Sequence, residues 1–536
     1  MVTAGSTIVP TTIPMAMDCL APMTNWTGPV APVLMPVPGA GSARLKTFWT
    51  WTEMAACRHL YADINAASSI MTGPGDRVQV HAGTYGDIDG DGTVEQIATI
   101  ARSGCAQDQD AVATVLHCSS CSGDGDRRFL VAAGDPGARD EVIIDLGHTV
   151  ATAFATRDAN LATIQGFHVI HQDMDTLYAD CNTTYSGTIG RRMAFEIYCP
   201  GGSQGNGLEI RDNIVDQQTE VMPAGDTSKK WHRAHIYMQG CGYATVDGNR
   251  LEGAVYYGFH AIGGGGHMTV TNNIIRADND TPLVFSNMAY GIYTNGNDGH
   301  VFRGNYIYRY GTNRSDVSAA FRIRDSVGPD TTVVTDNVIL GYRHCVYFQD
   351  IVNTSPGGVS FNNNTCMDDG VTGTRGKGAF HWGGAHMTVY NNIISGFDFI
   401  GRGGSPANVR LGNNLLAGYS RLYDASADGV NVTSDGGDVC HSDAACGATT
   451  NISQCAANST QDSCDPTPDF MSSGAKPDPY YRLGANSPAI DRGANAVCAH
   501  SISGSACDIG AYEFVPAGDP PSNVINLRRT DTWPGS

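Results

Sequence analysis

Ile210–Val215 reads IRDNIV, and the phrase returns as VDGNRL at Val246–Leu251, VTNNII at Val270–Ile275, FRGNYI at Phe302–Ile307, VTDNVI at Val334–Ile339, FNNNTC at Phe361–Cys366, VYNNII at Val389–Ile394 and LGNNLL at Leu411–Leu416. Its asparagine stands at Asn213, Asn249, Asn273, Asn305, Asn337, Asn364, Asn392 and Asn414, at spacings of 36, 24, 32, 32, 27, 28 and 22 residues. One strand-like phrase per period, with filler of variable length, is the mark of a solenoid, because each unit buries its apolar face only by stacking on the next. Apolar residues alternate around each asparagine as in a half-buried strand. Asparagine also tolerates the left-handed backbone that a strand needs to turn a corner. Stacked coils would place these amides in a ladder.

A solenoid lengthens by adding coils, so 536 residues point to one long domain with attachments. Sixty-five glycines and only 16% charged residues suit an all-β chain with many tight turns. A formal charge of −20 and a pI near 5.1 exclude general nucleic-acid binding, which needs a basic field. An anionic sugar polymer stays compatible if local cations or a bridging metal offset that field. No apolar run reaches about 18 residues, so no membrane span is predicted. Sixteen cysteines predict disulfides: Cys440, Cys446, Cys455 and Cys464 share one stretch, and Cys498 and Cys507 another. The destination is therefore secreted, periplasmic or cell-surface, although MVTAGSTIVPTTIPMAM lacks the basic n-region of a secretory signal. His117, Cys118 and Cys121 form HCSSC without a second pair at finger spacing, which favours a disulfide or free thiols over zinc.

Five stretches follow. Residues 1–45, rich in Pro, Thr and Ala, read as an extended arm or linker, and residues 46–434 as the solenoid. Within it, residues 58–85 pass from a helical pattern through a PGD turn into VQV and a GTY turn. Residues 435–465 are a cysteine-rich insert, 466–515 a closing segment carrying SPAID and DIGAYEF, and 516–536 a loose tail. With these features the chain resembles the right-handed parallel β-helix proteins, in which an asparagine ladder lines one corner. The resemblance implies an all-β fold with a short helix capping the first coil. SPAID and DIGAYEF resemble the end of secreted bacterial β-helix proteins, which implies a C-terminal cap.

Each coil also carries a second phrase: AFEIY, HIYMQ, GFHAI, GIYTN, AFRIR, CVYFQ and AFHWG. Alternation turns Phe195, Ile236, Phe259, Ile292, Phe321, Val346 and Phe380 into the core and leaves Glu196, Tyr237, His260, Tyr293, Arg322, Tyr347 and His381 outside. A second outward column is Tyr198, Gln239, Ile262, Asn295, Arg324 and Gln349. At about 4.8 Å between strands, His260 and Tyr293 are neighbours, with Tyr237 on one side and Arg322 on the other. Rings for sugar faces and polar tips for hydroxyls are what a carbohydrate groove needs. The bland alternative is an aromatic ladder that only stabilises the sheet. Nearby, GDTSKKWHRAHIY gathers Lys229, Lys230, Trp231 and Arg233 in a chain with five lysines. The cations suit a carboxylated polymer and the indole can stack on it.

Two chemistries compete for this row. β-Elimination from a uronic acid needs a group to neutralise the carboxylate, a base for the C5 proton and an acid for the leaving oxygen. Arg322, with Arg324 or a calcium ion, suits the first role, His260 or Tyr293 the second, and Tyr293 or Tyr237 the third. Hydrolysis instead needs two carboxyls about 5 Å or about 6.5–9.5 Å apart. The row offers Glu196, with Asp325 and Asp350 several coils away at strand ends. That spacing favours a lyase.

Over residues 58–430 the repeats resemble polysaccharide lyases such as chondroitinase B and the β-helical alginate lyases. The resemblance implies a lysine base and an arginine on successive coils beside calcium. Arg322 matches the arginine. No lysine stands between Lys230 and Lys377, so the base has no counterpart and the histidine and tyrosine roles come from the row alone.

GDIDGDGTVEQ sets Asp87, Asp89 and Asp91 at positions 1, 3 and 5 of a calcium loop, with Gly92 at 6, the Thr93 carbonyl at 7 and Glu95 at 9. Position 12 is Ala98 where a bidentate acid is usual. A structural Ca²⁺ is predicted there, apart from the row. The sequence thus predicts a secreted enzyme that degrades a polysaccharide, most simply a uronate lyase. A glycoside hydrolase and a non-catalytic glycan-gripping adhesin or tail protein are the alternatives.

Overall fold

The computed structural model describes residue 64, most of residues 77–438, residue 470 and most of residues 482–514. The N-terminal arm, HCSSC, the cysteine-rich insert beyond Asp438 and the tail from residue 516 lie outside the described residues. Of the predicted capping helix only Ile64 is described, and it is helical and buried.

The described strands stack into three sheets of 12, 12 and 11 strands. Sheet A holds the strands before the repeated asparagines, such as Glu209–Arg211, and sheet B those after them, such as Ile214–Gln217. Sheet C holds the second phrases, beginning with Arg192–Tyr198. Neighbours are parallel, apart from the antiparallel pair Ala98–Ala101 and Gln109–Leu116. Past that pair each turn of chain gives one strand to each sheet, which makes the fold a right-handed parallel β-helix.

The repeated asparagines form the expected ladder. Asn305 Oδ1 accepts from Asn273 N at 3.1 Å and Nδ2 at 3.0 Å, while Asn305 Nδ2 donates to Asn337 Oδ1 at 3.0 Å and Val270 O at 2.9 Å. Every rung repeats this pattern, and all eight side chains are buried. Asp438 ends the row: its Oδ1 accepts from Asn414 N and Nδ2, and a carboxylate has nothing to pass on. The left-handed backbone falls one residue earlier than the sequence suggested. Asp212, Asn272, Asp336, Asn363, Asn391 and Asn413 carry it, with Gly248 and Gly304 in the remaining coils. The ladder asparagine must aim its amide inward, so the residue before it makes the turn.

Phe195, Ile236, Phe259, Ile292, Phe321, Val346 and Phe380 fill one continuous core, as alternation requires. Cys345–Cys366 crosses that core within one coil, and Cys199–Cys241 ties two successive coils together. Trp382 fills the core because Gly401 beside it has no side chain; a Cβ there would lie 2.0 Å from the indole.

The closing segment, in its described part, runs along the flank of the coils. Ala511 and Tyr512 pack on Ile274, Tyr306, Val338 and Leu340 of sheet B, and Ile509 on Ile393, Leu415 and Ala417. The left-handed asparagines hold its backbone: Asn363 Nδ2 donates to Val497 O, Asn391 Nδ2 to Ala494 O and Asn413 Nδ2 to Arg492 O. Cys498–Cys507 closes a short ring in this strap.

Candidate active site

The outer face of sheet C brings the second phrases into one register. Glu196 pairs with Tyr237, Tyr237 with His260, His260 with Tyr293, Tyr293 with Arg322, Arg322 with Tyr347, Tyr347 with His381 and His381 with Arg402. Gln239, Ile262, Asn295 and Arg324 form the neighbouring column.

A second line of rings stands beside the row. In each coil two consecutive residues face the core, Ala194 with Phe195 and Ala320 with Phe321, so the residue before them faces out. That position holds Met193, Ala234, Tyr257, Tyr290 and Ala319, which form a cluster with Tyr237 and Tyr293 outside the core. At the first inward position of its coil Gly291 has no room for a side chain: a Cβ there would meet Ile307 Cγ2 at 2.4 Å and Ala320 O at 2.9 Å. Simple alternation missed Tyr257 and Tyr290. Their signal was YGF and YGI, a tyrosine two residues ahead of the inward apolar residue in adjacent coils.

The groups interlock. His260 stacks against Tyr257 and Tyr293, with ring centres at 4.1 and 4.7 Å, those two rings themselves stack at 5.3 Å, and His260 meets Tyr237 edge-on at 5.3 Å. The Arg322 guanidinium stands 4.8 Å from the ring centres of both Tyr290 and Tyr293 and 5.7 Å from Tyr347. Tyr347 stacks on His381 at 4.2 Å. Tyr237 donates its hydroxyl hydrogen to Gln239 Oε1 at 2.9 Å. Glu196, Tyr237, His260, Tyr293 and Arg322 project from the coil yet are buried, whereas Arg324, Tyr347, His381 and Arg402 are half-buried. The row is closed at its first rungs and opens toward its last.

Burial sets the charge states. Desolvation raises the phenols of Tyr256, Tyr257 and Tyr290 above the usual tyrosine range, against the pull of Arg322. They stay protonated at neutral pH. Desolvation, with Arg402 and Arg343 adding to it, holds the His381 imidazole below the usual histidine range, so it is neutral there.

Arg233 opens its strand opposite Arg192. Lys229, Lys230 and Trp231 lie outside the described residues. In the aspartate loop, Asp87 Oδ1 accepts from Gly90 N at 2.7 Å and Oδ2 from Gly92 N at 2.8 Å. Asp91 Oδ1 accepts from Thr93 N at 2.7 Å. Carboxylate oxygens of Asp87, Asp89 and Asp91 lie within 4.8 Å of one another, while Glu95 is outside the described residues. The loop leaves sheet B three rungs before Ile214–Gln217, apart from the row.

No protein-family model and no curated protein matches the chain. Among solved structures it is similar to pectate lyase Pel9A at 16% identity, covering 84% of this chain and 90% of that one, with a TM-score of 0.38. It is also similar to DFA-IIIase from Arthrobacter chlorophenolicus A6 at 12% identity, covering 59% and 71%, with a TM-score of 0.29. Likenesses at these scores say nothing of activity. Among the described residues no helix is long and apolar enough to cross a membrane.

Proposed function

We propose that the chain is a secreted enzyme that degrades a polysaccharide, and that on the outer face of sheet C it cleaves a uronic-acid polymer by β-elimination. The observation that carries this is the register that sets Tyr237, His260, Tyr293 and Arg322 on four successive coils. Arg322 neutralises the uronate carboxylate and so makes the C5 proton more acidic. His260 takes that proton, and Tyr293 or Tyr237 returns one to the leaving oxygen. In a desolvated row each of these interactions is stronger than in water. Glycan approaches from the half-buried end, where Arg324, Tyr347, His381 and Arg402 meet it. Among the described residues of the row Glu196 is the one carboxylate, and Asp325 and Asp350 lie outside the described residues. Three disulfides support an oxidising destination. The aspartate loop is assigned a structural calcium ion on the strength of its three convergent carboxylates.

One observation favours a second reading, a glycan-gripping protein without turnover: the His260 ring is buried and packed against Tyr257, Tyr293 and Tyr237. Incubation with alginate, pectate, chondroitin and ulvan, followed by ultraviolet absorbance of the unsaturated product, separates the two. A lyase produces absorbance on at least one polymer. Silence on all four, with reducing ends released from a neutral glycan, would replace the lyase by a hydrolase; silence with binding intact would leave the gripping protein.

A further inference from the structure

Four residues beyond strand Arg233–Gln239, Tyr243 adopts left-handed backbone with φ 56°, and one coil later His267 does the same with φ 55°. For a tyrosine this conformation is an outlier, and such strain clusters at functional sites. The two rings stack at 4.8 Å and 16°, and Tyr243 N donates to Gly266 O at 2.9 Å. The pair is held from three sides. Cys241, two residues earlier, is bonded to Cys199 of the preceding coil. Gly299 leaves room for the imidazole, since a Cβ there would lie 2.6 Å from His267 Nδ1. Asp330 Oδ2 stands 3.3 Å from His267 Nε2.

Despite this support the phenol ring faces water. Tyr243 is 40% exposed, the one exposed large hydrophobic side chain among the described residues, and the His267 side chain is 32% exposed. His148 and His171 also stack with left-handed backbone, at 4.6 Å, but both are imidazoles and His171 Nδ1 is bonded to Asp145 Oδ1 at 2.9 Å. Left-handed stacking alone therefore does not make an apolar platform; the exposed phenol does. A flat, amphipathic ring held rigidly at the surface is the element that stacks on the C–H face of a pyranose, and an adjoining carboxylate and imidazole suit its hydroxyls.

We infer that Tyr243, His267 and Asp330 form a sugar-binding platform separate from the buried row. One pyranose lies on the Tyr243 ring while Asp330 and His267 hydrogen-bond its hydroxyls. Tyr243 and His267 share their coils with Tyr237 and His260, and exposed Gln239 lies between the two places on the first of them. The platform thus holds a neighbouring unit of the same glycan; that link, though not the binding itself, rests on the function proposed for sheet C.

Affinity electrophoresis in gels containing alginate, polygalacturonate, chondroitin sulfate or neutral xylan tests it on the full chain, with thermal melts alongside. Wild type is retarded in at least one gel, Tyr243→Phe stays within about twofold of it, and Tyr243→Asn binds at least about tenfold more weakly. Asparagine accepts the left-handed backbone, so Tyr243→Asn melts at or above the wild-type temperature. His260→Ala stays retarded, which separates the platform from turnover. Retention lost in Tyr243→Asn without lyase or hydrolase activity on any polymer would uphold the platform and sink the catalytic reading alone. Wild type free in all four gels, or Tyr243→Asn retarded as strongly as wild type, would overturn the platform.

Discussion

The asparagine ladder and the outer row of sheet C obey the same geometry, one side chain per coil at strand spacing, yet one is uniform and the other mixed. Ladder amides are buried at an inner corner, where each must both donate to the next rung and accept from the last. Only asparagine does both at that reach, which makes the column monotonous. Side chains of the row lean outward, and stacking asks of them only a flat or extended shape. Glu196, Tyr237, His260, Tyr293, Arg322, Tyr347 and His381 therefore differ from rung to rung without cost to the coil. Where packing does not dictate identity, chemistry can.

That contrast is open to breaking. Asn305→Ala has the largest expected effect on folding: it strips the acceptor from Asn273 and the donor from Asn337 and Val270, leaving buried groups unpaired. Each orphaned group costs about 1–3 kcal/mol, so denaturant unfolding should show a loss of several kcal/mol, with turnover per folded molecule preserved. His260→Ala and Tyr293→Phe should show the reverse. Turnover falls by about 10²–10⁴-fold as proton transfer is lost, and Tyr293→Phe keeps its ring and so its unfolding midpoint. If His260→Ala kept full turnover, the row would be a ladder of the ordinary kind, whereas full turnover in Tyr293→Phe would leave the acid role to Tyr237.

Buried histidines sharpen the comparison through pH. His235 sits inside the coil, at a position filled elsewhere by Ala194 and Ala320, with neither ring nitrogen hydrogen-bonded. Burial lowers its pKa from 6.5 to about 3, and burial likewise lowers His300 and His344 to about 3. Between pH 6.5 and 3 the unfolded chain binds protons that the folded chain refuses, so stability rises with pH across that window and is insensitive to these groups above it. Urea midpoints should therefore fall as pH drops from 6.5, and His235→Ala should flatten the slope. The smallest effect belongs to the aspartate loop. Chelation should lower the melting temperature modestly without changing turnover, and Asp89→Ala should remove the response. A chelator that abolished turnover at an unchanged melting temperature would move calcium into the site.

Much of this was legible in the sequence, for identifiable reasons. The eight asparagine phrases fixed the coil because stacking repeats the same demand at each rung. The register of the row followed from period-two alternation anchored on Phe195, Phe259 and Phe321. Tyr257 and Tyr290 were hidden because two consecutive inward residues interrupt that alternation. The Cys199–Cys241 and Cys345–Cys366 pairings were hidden because coil geometry, not sequence spacing, brings those thiols together. Burial of the outward row was not legible either, since no pattern within a strand reports what covers its outer face. The lateral strap was hidden for a related reason: Asn363, Asn391 and Asn413 read as turn formers, and their side chains also grip Val497, Ala494 and Arg492.

The central claim is that the outer face of sheet C is where sugar is bound and cleaved. A crystal structure of the His260→Ala variant soaked with a short oligouronate tests it most directly. Density along the row, with a uronate carboxylate against Arg322 and the scissile oxygen beside Tyr293 or Tyr237, is the predicted result. Sugar bound only elsewhere on the coil, with the ring stack around position 260 undisturbed, would contradict it.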